Sequence, residues 1–164
     1  MKSLVCLVAV LLAASFASAT AIEVGTGANT VGVEIEWKDG FLQEFAVSFD
    51  TASITGWDAM NTIETETMLT LVVQDFGWGD FIDGINYDGH TDIGFGGGDD
   101  WWHFWIKDAG QDWVSPGYGI SDRVLLPGDT DGWVYGHAFA PGEVPEPATM
   151  ALLAVGGFLI RKRS

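Results

Sequence analysis

This chain of 164 residues contains a single cysteine, Cys6, which lies in the first hydrophobic segment. The rest of the chain therefore has no disulfide, no thiolate nucleophile and no cysteine ligand for a metal ion. Three signatures of enzymes are also missing, namely the G-x-S-x-G elbow, the H-E-x-x-H helix and the Lys-Ser/Thr of a phosphate-binding loop. The three histidines are scattered along the sequence. We therefore expect a protein that is not an enzyme.

Basic residues are scarce in the middle of the chain. Between residues 20 and 143 only Lys38, Lys107 and Arg123 face 22 acidic residues, which gives this region a net charge of about −19. Such a charge repels the phosphate backbone, so we exclude a nucleic acid as partner. The same acidity fits either a protein that stays soluble outside the cell or one that binds cations.

Hydrophobic runs occur only at the two ends. The first follows Lys2 and finishes with the small residues Ala17, Ser18 and Ala19. This run is too short for a transmembrane helix, and signal peptidase accepts the A-x-A pattern. The pattern predicts a signal peptide over residues 1–19, cleaved after Ala19. A retained N-terminal anchor is the alternative.

The second run lies in residues 144–164, which read VPEPATMALLAVGGFLIRKRS. Its apolar run, 148–160, has 13 residues and spans about 20 Å as a helix, against about 30 Å of hydrocarbon in a bilayer. The basic cluster after them should stay cytoplasmic and leave the preceding domain outside. The features of this segment are Pro145, Glu146, Pro147, Arg161, Lys162 and Arg163.

This order of Pro-Glu-Pro, apolar helix and basic tail resembles the PEP-CTERM sorting signal. The resemblance implies recognition by an exosortase, a membrane-embedded cysteine protease that removes the tail. The protein would be anchored in the inner membrane before processing. Afterwards it would reach the cell surface or the extracellular matrix, where exopolysaccharide is a candidate partner. A plain stop-transfer anchor is the alternative.

Residues 20–143 predict a single exported domain rich in strands. Alternating apolar residues indicate half-buried strands near 31–37 and 45–50, joined by a turn at Asp39 and Gly40. Thr55 and Asp58 can cap a short helix over 57–63. Further strands are expected near 68–74, 84–87, 101–107, 124–126 and 132–139. The fold class is therefore α+β and mostly β, with a β-sandwich as the alternative.

The segments ITGWDAMNTI, WWHFWIKDAGQDW and LLPGDTDGWVYG resemble the transcobalamin C-terminal-like domains. The resemblance implies a β-grasp-like mixed sheet wrapped over one helix, with cobalamin or another corrinoid as ligand. The chain departs from the family at Lys107 to Gly110, where the family tends to have Val-Asn-Gly. The matching residues are Trp101, Trp102, Phe104, Trp105, Gly110, Trp113, Gly128, Asp129, Trp133 and Tyr135.

The strand at 101–107 carries tryptophan on both faces. Trp102, Phe104 and Ile106 should face the helix, which leaves Trp101 and Trp105 on the other side, near Trp113 in sequence. These three tryptophans could form a platform for sugar rings or a flat cofactor. The alternative is that loops cover both faces of the strand, since large aromatic residues are usually buried.

Four aspartates in glycine-containing loops form a candidate calcium site, because carboxylate oxygens suit this ion. Turn chemistry explains Asp-Gly pairs equally well, and no full EF-hand spacing is present. No cofactor is required by the sequence. The four candidate ligands are Asp83, Asp88, Asp129 and Asp131.

Three functions remain open from the sequence. The first is a non-catalytic surface or matrix module for display or adhesion, with association with glycans. The second is a module that binds a small ligand such as a corrinoid. The third is a surface hydrolase, which would need His103 and Asp99 or Asp100 paired in one cleft.

Overall fold

The computed structural model describes residues 20–77 and 79–143. This part of the chain contains ten strands, one α-helix (α1) and one short 3-10 helix at Ile120–Asp122. The elements are β1 Ile22–Gly25, β2 Asn29–Glu36, β3 Leu42–Phe49, β4 Ile54–Thr55, α1 Gly56–Glu66, β5 Thr70–Asp75, β6 Asp80–Tyr87, β7 His90–Ile93, β8 Trp102–Lys107, β9 Val124–Leu125 and β10 Thr130–Tyr135.

The largest sheet has five strands in the order β1-β3-β2-β10-β8. β2 and β3 form an antiparallel hairpin around Asp39 and Gly40, as the sequence predicts. β10 then runs parallel to β2 and antiparallel to β8. The helix follows the β2–β3 hairpin, and β2, the first strand of that hairpin, lies parallel to the last strand, β10. This mixed sheet and the single α-helix confirm the predicted fold class.

The two faces of the large sheet differ in composition. Val31, Val33 and Ile35 of β2 are at most 1% exposed and pack into the core. Glu34 and Glu36 alternate with them and point to the opposite side. We call the side of Val33 the inner face and the side of Glu34 the outer face.

Helix α1 packs its apolar side into the same core. It begins with a capping box, in which the Thr55 hydroxyl accepts a hydrogen bond from the Asp58 amide and the Asp58 carboxylate accepts one from the Thr55 amide. Ala59, Met60 and Ile63 are each at most 1% exposed. The predicted helix and its cap are therefore confirmed, and the helix extends to Glu66.

A second sheet, β5-β6-β7, closes the other side of the core. The sequence predicted only residues 84–87 of it beyond β5, whereas β6 begins at Asp80 and β7 occupies part of the expected loop. Asp88 and Gly89 join β6 to β7 with φ angles of 45° and 88°, which fits a two-residue hairpin turn. A bulge opposite Val72 and Val73 lets both Ile82 and Ile85 reach the core.

The last strand is shorter than predicted. The alternation suggested a strand over 132–139, but β10 ends at Tyr135 and Gly136 has a φ of 88°. This left-handed backbone turns the chain back over the outer face. We call residues 137–143 the C-terminal strap. Its Ala140 is 1% exposed, and Pro141 lies against Gly132 of β10.

Candidate functional site

The three tryptophans of the predicted platform lie in two different places. Trp105 pairs with Gly132 across the sheet, so its side chain lies on the outer face. Trp113 and Pro141 approach the same glycine, with atoms 3.0 and 2.7 Å from the position of an added β-carbon. Trp101 instead lines a cleft at the β8 edge of the sheet. The structure therefore does not unite the three residues in one surface.

Neighbouring residues cover the outer-face tryptophans. The Lys107 Nζ atom lies 4.2 Å from the centre of the Trp113 ring and 3.4 Å from the Glu34 carboxylate. Trp105 is half-buried, and its buried indole N–H has no acceptor within the described residues. Around Trp105, the structure therefore favours the alternative interpretation, in which both faces of the strand are covered. The cover comes from Trp113 and the C-terminal strap.

A cavity lined by aromatic residues lies between β6, the edge strand β8 and the loop before the 3-10 helix. Its volume is about 210 Å³. Asp80 and Ser115 contribute polar groups to its wall. We call this cavity the aromatic cleft, and its aromatic lining consists of Phe81, Trp101, Trp102, Phe104, Tyr118 and Trp133.

Three rings at the cleft form a stacked row. Phe95 stacks on Phe81 at 5.4 Å and on Trp101 at 6.5 Å between ring centres. Phe95, the middle ring, is 62% exposed, so the row faces solvent there. Deeper in the cleft, Phe104 stacks on Trp133 at 4.7 Å. The buried Trp133 indole N–H has no acceptor among the residues described, which leaves one donor unused at the floor of the cleft.

Phe81, Phe95 and Tyr118 were not predicted from the sequence, because they come from segments far apart in the chain. A signal was nevertheless present. Phe95 and Tyr118 are single large aromatic residues set among glycines, in GFGGG and PGYG. A large aromatic side chain in a glycine-rich loop indicates a contact, either with a ligand or with another part of the protein.

The predicted calcium ligands Asp129 and Asp131 have another role. Arg123, which is 5% exposed, contacts both, with Nε 2.9 Å from Asp131 and Nη2 3.5 Å from Asp129. Its Nη1 lies 3.0 Å from Asp108. Asp129 also accepts hydrogen bonds from the backbone N–H groups of residues 109 and 126. This buried network ties the loop after β8 to β9 and β10.

The other two candidate calcium ligands do not form a cluster with them. Asp88 is exposed in the β6–β7 turn, whereas Asp83 is 5% exposed on the bulged strand. Over residues 20–77 and 79–143, no three His, Cys, Asp or Glu side chains are arranged to hold a metal ion. The Asp-Gly pair at 88 and 89 acts as a turn, as the alternative interpretation had it.

His103 has a structural role. Its Nε2 atom lies 3.2 Å from the carbonyl oxygen of Asp99, not from a carboxylate. The Asp100 carboxylate pairs with Lys38 at 2.7 Å. Burial lowers the pKa of His103, although the Asp99 carbonyl opposes this effect. The side chain is therefore neutral at pH 7 and holds the glycine-rich segment against β8.

Replacing Asp131 with asparagine should change the pH dependence of stability. Burial raises the pKa of Asp131 from 3.8 to about 7, although Arg123 opposes the rise. The folded protein therefore binds this proton more tightly than the unfolded chain. It loses stability as the pH rises from 3.8 to about 7. Since one pKa unit corresponds to about 1.4 kcal/mol and the rise is about three units, the loss is on the order of 4 kcal/mol.

Urea unfolding of the wild-type and Asp131→Asn proteins between about pH 4 and 8 would measure this loss. His103 contributes a slope of opposite sign, but it is present in both proteins and cancels in the difference. The stability of the variant relative to wild type should rise with pH. A difference that is constant over the whole range would contradict the assignment.

Comparison with known families concerns the end of the chain. Residues 143–164 match the family model of the PEP-CTERM protein-sorting motif. The chain carries a PEP-CTERM sorting motif. It is therefore an exported protein that is targeted to an exosortase and anchored in the membrane before processing. The match contains every predicted sorting residue from Pro145 to Arg163, all of which lie outside the described residues.

No curated protein and no solved structure matches the chain with significant similarity. The resemblance of residues 20–143 to transcobalamin C-terminal-like domains thus stays a prediction. Within the described ranges, no helix has the length and hydropathy needed to cross a membrane. The predicted apolar helix at 148–160 and the signal peptide ending at Ala19 lie outside these ranges.

Proposed function

We propose that this PEP-CTERM protein is a non-catalytic module displayed at the cell surface or in the extracellular matrix, where it contacts glycans through the aromatic cleft. The observation that carries the proposal is the row of stacked rings Phe81, Phe95 and Trp101, with Phe95 62% exposed, on an exported domain. Soluble proteins seldom leave such a row open to solvent without a ligand.

The size of the aromatic cleft favours a sugar over a corrinoid. Its volume of about 210 Å³ is below the roughly 300–1,000 Å³ of sites for drug-sized ligands. One sugar ring can lie against the exposed rings of Phe95 and Tyr118, which are 62% and 42% exposed, since aromatic faces bind flat apolar surfaces well. Asp80 and Ser115 can then bind its hydroxyl groups. The aromatic cleft is too small for a large, rigid corrinoid.

The charge of the domain narrows the class of glycan. Residues 20–143 carry a net charge of about −19, and Asp80 lies in the wall of the cleft. An acidic polysaccharide would be repelled by this field, whereas a neutral one would not. The proposed ligand is therefore a neutral exopolysaccharide of the surrounding matrix.

Binding of the secreted, processed protein to neutral polysaccharide from its own matrix would test the proposal, for example by affinity electrophoresis. Trp101→Ala and Tyr118→Ala should each weaken binding about tenfold, the equivalent of about 1.4 kcal/mol. Phe139→Ala is the matched control, because Phe139 is a 46% exposed aromatic residue that does not line the aromatic cleft.

An equal loss in all three variants, or retention of the polysaccharide by none of the proteins including wild type, would contradict the glycan function. A pink colour in protein purified from a cobalamin-supplemented culture would instead support the corrinoid alternative.

A further inference from the structure

The C-terminal strap is held on the outer face mainly through one side chain. The Glu36 carboxylate accepts a hydrogen bond from the Gly142 backbone N–H at 2.8 Å, and its other oxygen lies 3.3 Å from the His137 Nε2 atom. Ala140 and Pro141 add a small apolar contact above Gly132. Among the described residues, the strap forms no strand pairing with the sheet.

The strap ends where the sorting motif begins. Only residues 144–147 separate Glu143 from the apolar run that starts at residue 148. Four residues of extended chain span at most about 14 Å. With the strap in place, the folded domain of the anchored precursor would therefore stand within about 14 Å of the membrane surface, directly over the segment that exosortase must reach.

We propose that the strap is a releasable tether and that Glu36 controls its release. When the strap and Gly136 leave the outer face, the link between β10 and the apolar run grows from four residues to 12, or to about 42 Å when extended. This length gives a membrane-embedded protease room to bind the chain around Pro-Glu-Pro. Glu36 is thus a positioning residue for processing and takes no part in the cleavage chemistry.

The contacts of the strap suit this role. Local opening is favoured where a segment has few buried apolar contacts and hydrogen bonds near solvent. His137 and Gly142 both depend on the same carboxylate, so a single change loosens both anchors. The core residues Trp133 and Tyr135 lie on the inner face of β10, so release of the strap leaves the core contacts of the sheet intact.

Pulse–chase labelling of the full chain in its exosortase-containing host would test the proposal, with the drop in mass from precursor to processed protein as the readout. Glu36→Ala should shorten the half-time of conversion at least threefold. Glu36→Gln keeps an oxygen for the Gly142 N–H and should stay near the wild-type rate. Glu34→Ala is the matched control, because Glu34 lies on the same face of β2 and contacts Lys107, not the strap.

A second variant covers the case in which Glu36→Ala does not fold. Ala140→Glu places a charge at a buried strap position without altering the sheet, and it should also speed conversion. Unchanged or slower conversion in whichever of the two variants folds, or equal acceleration in Glu34→Ala, would overturn the proposal. Absence of processing in the wild type would refute the sorting account and the strap proposal together. The outcome is independent of glycan binding.

Discussion

Arg123→Met should lower the free energy of unfolding by about 3–5 kcal/mol, since removing one partner of a buried ion pair leaves an uncompensated charge. Arg123 is the only cation within 4.0 Å of Asp129 and Asp131 among the described residues, and both carboxylates are at most 6% exposed. Methionine fills a similar volume, so the loss reports charge more than packing. Urea unfolding of the processed protein at pH 8, above the Asp131 pKa of about 7, would measure it.

Two further proteins make this measurement specific. Lys38→Met removes an ion pair at the surface, with the Lys38 side chain 55% exposed, and should cost less than about 1 kcal/mol. Adding Asp131→Asn to Arg123→Met removes one of the stranded charges and should restore part of the lost stability. If Arg123→Met costs no more than Lys38→Met, the network does not stabilise the fold.

Trp102→Ala should destabilise the domain by about 3–5 kcal/mol, as a fully buried aromatic residue of the core does. Trp102 is 2% exposed, packs edge-on against Trp37, and donates its indole N–H to the Asp92 carbonyl at 3.0 Å. The substitution therefore leaves a large cavity, and the Asp92 carbonyl oxygen in β7 loses its hydrogen-bond donor.

Trp105→Ala should cost only about 1–2 kcal/mol, because Trp105 is half-buried and its indole N–H has no acceptor among the described residues. Thermal or urea unfolding of both variants compares the two faces of one strand directly. Equal destabilisation would show that the outer face is as much a core as the inner one. In that case the strap would be an integral part of the fold and could not act as a releasable tether.

Local signals in the sequence were sufficient for the central elements. The alternation at Val31, Val33 and Ile35 predicted β2, and the spacing of Thr55 and Asp58 predicted the start of α1. Both patterns depend on neighbours within a few residues, so they can be recognised without knowing the rest of the fold.

Elements that depend on partners distant in the sequence were not predicted correctly. β1 is a four-residue strand whose hydrogen bonds come from β3, more than 20 residues away. The turn at Gly136 ended a strand whose alternation continued beyond it. In both cases tertiary pairing, not local propensity, decided the structure.

The candidate sites show the same limit. Asp129 and Asp131 were interpreted as calcium ligands because oxygen-rich loops suit calcium, but the sequence does not reveal which acids contact Arg123. The aromatic cleft needs Phe81, Trp101, Tyr118 and Trp133 from segments that only the fold brings together. The sequence therefore indicates which residues are candidates for a site, but it does not indicate which of them lie together in the fold.

The mass of the intact protein secreted by its native host tests the central claim, that this is an exported exosortase substrate, most directly. The account predicts a mature N-terminus at or within two residues of Thr20 and loss of the tail beyond Pro145, Glu146 and Pro147. The same measurement in a strain without exosortase should show the tail still attached. A full-length C-terminus ending in Arg161, Lys162, Arg163 and Ser164 in protein from wild-type cells would contradict the account.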